Sequence, residues 1–454
     1  MMDDIASKAL SANSSNHDAA VVLATPEFSR HLHNEEFMSS MAVLLAGSSS
    51  PIKFHVLGAI VDYIAPQLGV YQTSPGISVL RGHLDQMLPN LWQEEPKWPV
   101  EDIDTVSALS FSIGVPQVTL PLARTMFHNN RASTLVASAF DISGGVARME
   151  QQLDRYSQQV FVADNDLPQN IGKLGLWAPL VPLTQPRLIS ASFGNIVRGV
   201  KIDDQSIPAS TELEDAVNSF YTRSKNSSAA RPGPVGIWAL VTPRSDSPNT
   251  ATSWLNSCSM PLSVSSTQST IQELTIETAA YLHKSHKRGA RLLKVLSGGG
   301  GWGAKKGLLS LDPQRTHFSL SDEEEVHRFV QSASYSSFAP IGSAIQFLMS
   351  LDEVPGMPEY LPPSIVFGVP GSNQEISTRP KQAFTGGHFG ALSNQGIFVS
   401  TPPSGATDTE GLPDERKLSV PNSRLFVAEG IDEQTGGFGK MPTLAEAGLL
   451  ALLL

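Results

Sequence analysis

Apolar residues first gather in a short unbroken run, Ala19–Ala24 (AAVVLA), closed by Thr25-Pro26. A run without alternation predicts a strand covered on both faces. From Arg30 to Ala46 the apolar positions Leu32, Phe37, Met41, Leu44 and Leu45 recur at helical spacing, with Gly47 placed for a helix C-cap. Phe54–Val61 (FHVLGAIV) is a second apolar run, so the chain opens with a predicted βαβ unit. Further strands are predicted at Gly76–Leu80, Val106–Ile113, Leu135–Ile142, Ile189–Phe193, Ile196–Val200 and Gly236–Thr242. Helices are predicted at Gly145–Tyr156 and at Thr211–Tyr221, the latter opened by the capping box Thr211-x-x-Glu214. Polar stretches rich in Pro, Ser and Asn at 222–234 and 243–252 mark loops.

The last third changes character. Ile271–Leu296 has the pattern of a long helix, followed by the glycine run 298–301, and Ser321-x-x-Glu324 opens a predicted helix near 322–332. After Pro340 the pattern turns strand-like at Ala344–Met349, Ile365–Val369, Ala391–Ser400 and Arg424–Ala428. The expected fold class is therefore α/β, a mixed sheet flanked by helices, followed by an α+β C-terminal region. The expected boundaries are a disordered polar N-terminus over 1–18, an α/β domain over 19–265, and an α+β domain over 266–454.

Composition narrows the class. Of 454 residues, 43 are acidic and 32 basic, a net charge of −11 that opposes non-specific attraction to nucleic acid or anionic membrane. A single cysteine, Cys258, excludes an intrachain disulfide and any multi-cysteine metal site, and points to a reducing intracellular setting. The start, MMDDIASKAL, carries two acids and no long apolar core, unlike a secretory or matrix-targeting leader. Leu444–Leu454 is apolar but about half the ~20 residues that cross a bilayer, and reads as a docked terminal helix. No membrane span is expected, and the expected location is cytoplasmic, with the mitochondrion as the alternative.

Gly298–Lys306 (GGGGWGAKK) is the most unusual segment. Successive glycines free the backbone to gather N–H groups into an anion-binding nest. Gly298, Gly299, Gly300, Gly301 and Gly303 supply that freedom, Lys305 and Lys306 add charge, and Trp302 offers a stacking surface. Gly298, Gly300 and Gly303 also fit G-x-G-x-x-G, but the preceding helix and the nearby Gly307 and Pro313 deny it the strand–turn–helix setting that pattern needs. If 271–296 is helical, its negative dipole end faces the glycines and repels phosphate. The competing reading is a helix exit anchored by Trp302. On the segment 281–294, His283 and His286 share a face among Lys284, Lys287, Arg288, Arg291 and Lys294, whose charge disfavours a divalent ion. This basic helix is a candidate contact for RNA or a protein partner, against the simpler reading of a solvated helix end.

His388, centred in Gly386-Gly387-His388-Phe389-Gly390, is a candidate base or ligand contact, set against packing beside a hairpin turned by Ser393–Gly396. Asp62 follows a predicted strand at the place where α/β sheets expose ligand groups, and Asp141 is comparable; capping a turn is the alternative for each. No G-x-S-x-G, H-E-x-x-H, Cys-x-x-Cys or kinase motif is present, and Cys258 has no neighbour in sequence to activate it. No catalytic residue, metal or cofactor is assigned.

The segments AAVVLATPEFS (19–29), FHVLGAIVD (54–62) and SFGNIVRGVKIDDQSIPASTELEDAV (192–217) together resemble the FIST sensory domain of signal-transduction proteins, over roughly the first 240 residues. LLKVLSGGGGWGAKKGLLSLDP (292–313) resembles a segment of a fungal group of which some members are thought to be mitochondrial. The resemblance implies an intracellular, sensory-type protein that binds a small-molecule ligand, with amino acids among the ligands suggested for such domains. Two alternatives stand beside it: an enzyme acting on a phosphate ester or nucleotide through the loop 297–307, and an RNA- or ribosome-associated assembly factor using 281–294.

Overall fold

The strand–helix–strand opening forms as its pattern predicts. In the computed structural model β1 (Ala19–Ala24) pairs in parallel with β2 (Lys53–Ile60), from Ala19 opposite His55 to Ala24 opposite Ile60. Between them two 3-10 turns lead into α1 (Glu35–Ala46). Asn34 fixes its start by accepting the Phe37 N–H at 2.8 Å, and Gly47, at φ +71°, closes it. Met38, Met41, Ala42 and Leu45 lie along one stripe of the helix and are buried with Val22, Val56, Val79 and Phe140 of the sheet beneath. The structure describes residues 17–47, 53–65, 75–94, 107–113, 117–162, 174–226, 236–243, 268–298, 307–312, 339–350, 365–371, 383–386, 388–401, 414–427 and 449–453.

Beyond this unit the expected α/β arrangement is overturned. The described residues are predominantly strand, gathered into several mixed sheets and a closed six-stranded antiparallel barrel. Contacts divide the chain into two units, one comprising 1–175, 358–418 and 424–454, the other 176–357 and 419–423.

In the first unit, the largest sheet has the order β20 (Ala383–Gly386), β25 (Leu449–Leu453), β4 (Gly76–Gly82), β1, β2, β7 (Leu135–Ser143), β8 (Val146–Asp154). Only β1–β2 is parallel among its described pairings, whereas an α/β sheet repeats that crossover strand after strand. The helix predicted over Gly145–Tyr156 is strand β8. Gly144 and Gly145, at φ +61° and +79°, turn the chain back in two residues, and pairing with β7 overrides the helix formers of VARMEQQLD. The terminal apolar segment read as a helix supplies β25, which pairs with β4.

A second sheet runs β10 (Leu174–Trp177), β24 (Arg424–Val427), β19 (Ile365–Gly368), β21 (Phe389–Leu392), β3 (Tyr63–Ile64). A third runs β23 (Asp414–Leu418), β22 (Ile397–Thr401), β6 (Gln117–Pro121), β5 (Ala108–Ser112), β9 (Ser157–Phe161). Phe111 of the third sheet meets Phe367 and Phe389 of the second, ring centroids 4.5 and 5.8 Å apart, all three buried. Two single-turn helices, α2 (Leu84–Met87) and α3 (Met126–Asn129), sit in loops of this unit.

The second unit is the barrel. The strands β12 (Arg187–Phe193), β13 (Ile196–Ile202), β17 (Leu309–Leu311), β16 (Arg291–Gly298), β15 (Ile237–Thr242) and β18 (Ala344–Ser350) follow one another around the ring. Antiparallel pairing of β18 with β12 closes it. Ile189, Val200, Leu309, Leu293, Val241 and Phe347 form one buried cluster, joined by Ala209, Leu213 and Val217 at four-residue spacing on α4 (Ala209–Asn226). Because α4 starts at Ala209, directly after Pro208, Thr211 lies inside its first turn and the predicted capping box does not open it. Two short strands, β11 (Leu180–Pro182) and β14 (Gln205–Pro208), extend the sheet, and α5 (Gln268–Lys287) packs on β11. The helix predicted over Ile271–Leu296 thus ends at Lys287. Gly289, at φ +91°, turns the chain, and Arg291–Gly298 joins the barrel with Leu293 in its interior. The helix predicted near 322–332 lies outside the described residues. No helix among the described residues is long and apolar enough to cross a membrane.

Candidate functional site

Gly298 is the last residue of β16, opposite Leu309, while Gly299, Gly300, Gly301, Trp302, Gly303, Lys305 and Lys306 lie outside the described residues, as does Cys258. Since the glycine run follows a strand, the objection drawn from a helix dipole no longer applies. The basic segment 281–294 is not one helix either. Lys284 and Lys287 belong to α5, Arg288 to the turn after it, and Arg291 and Lys294 to β16. Among the described residues no group of three or more His, Cys, Asp or Glu side chains is arranged to hold a metal ion.

His388 and Asp62 both stitch the pairing of β3 with β21. The buried His388 ring places Nε2 2.8 Å from the Ala65 carbonyl oxygen. Asp62 Oδ2 accepts the Asn394 N–H at 2.8 Å and so fixes the turn Ser393–Gly396, in which Gly396 takes φ +87°. Burial raises the Asp62 pKa, and the Asn394 N–H opposes that rise. The turn is not the predicted hairpin, because β21 and β22 on its two sides belong to different sheets. Asp62 precedes β3 and Ala65 follows it, about 10 Å of extended chain apart, so the two residues do not share one site.

A different cluster carries more chemistry. Register sets Ala19 of β1 opposite His55 of β2 and Gly82 of β4, which gathers Asp18, His55 and His83 at one edge of three adjacent strands. The Asp18 carbonyl accepts the His55 N–H at 2.8 Å. Its carboxylate accepts the Leu84 N–H at 2.7 Å and stands 3.9 Å from His83 Nδ1. The buried His17 ring meets His83 edge-on, centroids 5.4 Å apart, and the His55 ring meets Trp92 at 5.6 Å. The backbone around Trp92 is tied down by side chains. Arg155 donates to the carbonyls of Leu91 and Gln93 on either side of it, and Gln158 donates to that of Pro89.

Within this frame His55 Nδ1 and Trp92 Nε1 are both buried and make no hydrogen bond among the described residues. Burial lowers the His55 pKa below its ordinary 6.5 and Lys53 pushes the same way, while Asp18, Glu150 and Asp85 oppose them. The imidazole is therefore neutral near pH 7, beside an indole N–H that can only donate. An unpaired buried polar group costs about 1–3 kcal/mol, so the two orphans together are a substantial burden for a structure to carry. Sequence reasoning missed this cluster because His55 is submerged in FHVLGAIV, where the apolar run drew the attention. The available signal was a lone histidine interrupting that run, with His17-Asp18 abutting the neighbouring strand.

The first unit also carries a groove of about 720 Å³ along α1, reaching from His31 to the β7–β8 turn at Val146. Phe37, Val43 and Leu44 form its apolar wall, and Glu36 and Ser39 are among its polar residues. Compared with protein-family models, with curated proteins and with solved structures, the chain matches none.

Proposed function

We propose that the chain is an intracellular small-ligand-binding protein of the sensory type, and that its ligand is recognised by the His55–Trp92 pair. The observation that carries this reading is the adjacency of two rings, centroids 5.6 Å apart, each carrying a buried polar atom unpaired among the described residues, one a fixed donor and the other an imidazole nitrogen. The ligand is a small polar molecule with an acceptor for the indole N–H and a hydroxyl, amide or carboxylate for the imidazole. Asp18 and His83, both partly exposed, stand beside the pair. Support also comes from position: His55 stands on β2 within FHVLGAIVD (54–62), one of the segments that resemble the FIST sensory domain, and Asp18 directly precedes β1. The single cysteine among 454 residues supports the intracellular part of the reading.

A thermal-shift screen of small polar metabolites against the full chain tests it, because a ligand that binds only the folded state raises the melting temperature. A stabilising compound is expected. Its affinity should fall about tenfold in Trp92→Phe, which keeps the ring and loses the N–H. A compound that stabilises both proteins equally, or a screen without a hit, ends the proposal.

A further inference from the structure

The loop between β6 and β7 holds an apolar tip in water. On α3, Phe127 is 99% exposed and Met126 47%. The loop is bound into one shape. Thr125 Oγ1 donates to the Arg131 carbonyl at 3.0 Å and lies 2.8 Å from Thr134 Oγ1, which accepts from Asn129 Nδ2 at 2.8 Å. Asn130 closes the helical turn in the left-handed region at φ +60°. Arg30 Nε donates to the His128 carbonyl at 2.7 Å and ties the loop to the segment before α1. A phenylalanine left in water forgoes about 1.5–3 kcal/mol of burial. A rigid loop that keeps one there has the profile of an interface anchor.

A receptor of matching character adjoins it. His31, next to the tethering Arg30, and Val146, 68% exposed, both line the apolar groove along α1. Charge is matched as well. Glu36 lines the groove at the first turn of α1, whereas Arg124 and Arg131, the latter paired with Asp154, flank the tip. Tip and groove are adjacent parts of one unit, which is the condition for a reciprocal contact about a two-fold axis.

We infer that the chain self-associates through this surface, Phe127 of each copy seated in the groove of the other. Two inserted phenylalanines of about 150–250 Å² each, with the groove wall they cover, reach about half the area of a stable interface. The dimer is accordingly weak, with a dissociation constant in the micromolar range.

Sedimentation equilibrium on the full chain from about 1 to 100 µM tests the inference. The wild type should pass from monomer to dimer over that range. Phe127→Glu and Val146→Glu, both at exposed positions that leave the core intact, should each weaken association about 100-fold. A wild type that is monomeric at the top of the range overturns the inference, as does a Phe127→Glu or Val146→Glu protein that dimerises like the wild type. Binding of the wild type to phosphatidylserine vesicles without self-association would assign the tip to a lipid surface and overturn it equally.

Discussion

At Gly390 a single hydrogen decides whether two strands can pair. A Cβ placed there would lie 1.9 Å from the Val366 carbonyl oxygen, a backbone atom that cannot rotate away, and the Gly390 N–H meanwhile donates to Ser78 Oγ. Gly390→Ala should therefore lower stability by about 3 kcal/mol, read as a fall in the urea midpoint without loss of the native far-UV spectrum. A variant as stable as the wild type would mean that β19 and β21 are not in the described register. The same scale explains what the sequence disclosed about individual residues. Gly386–Gly390 and Asp62 stood out because glycine clusters and turn-flanking acids are locally unusual, yet His388 and Asp62 join strands to one another. His55 was concealed because an apolar run records burial but not which buried group lacks a partner. The neighbouring orphan belongs to Trp92, whose flanking carbonyls are held by Arg155 and Gln158, more than sixty residues further along the chain.

At the scale of elements, β1, β2 and α1 were legible because unbroken apolar runs and a three-and-four spacing with a C-cap glycine are local signals. The strand β8 was not, since VARMEQQLD favours a helix and becomes a strand through the Gly144-Gly145 turn and the partner β7 provides. Arg291–Gly298 is the same case, a stretch continuous with helical sequence that the barrel recruits after the turn at Gly289. The far end of β8 carries a pH-dependent link. His33, the first cause, and Arg131 hydrogen-bond Asp154 and hold its carboxyl at about 2, below the ordinary 3.8. A depressed carboxylate pKa contributes stability that is present above 3.8 and is lost as the pH falls towards 2. Asp154 is half exposed, so the slope is shallow. Melting temperatures measured from about pH 4 to 2 should fall less steeply in Asp154→Asn than in the wild type, and parallel curves would exclude the link.

Across the whole molecule the expected α/β class failed because pairing partners lie far apart in the chain, where no local pattern records them. The barrel pairs β15 with β18, residues 237–242 with 344–350, and the large sheet of the first unit takes β25 from 449–453 beside β4 at 76–82. Removal of Leu449–Leu453 should leave one side of β4 without a partner. The truncated chain should then scatter light on mild heating while the wild type stays clear, because an unpaired strand edge invites pairing between molecules. Equal clarity of the two would show that β25 is dispensable to the sheet.

That long-range pairing also sets a timetable during synthesis. At about 5–20 residues per second, roughly 20–70 s separate the emergence of β4 from that of β25. Throughout that interval the nascent chain presents one row of bare amide and carbonyl groups, and on a crowded polysome the nearest such row belongs to the chain on the next ribosome.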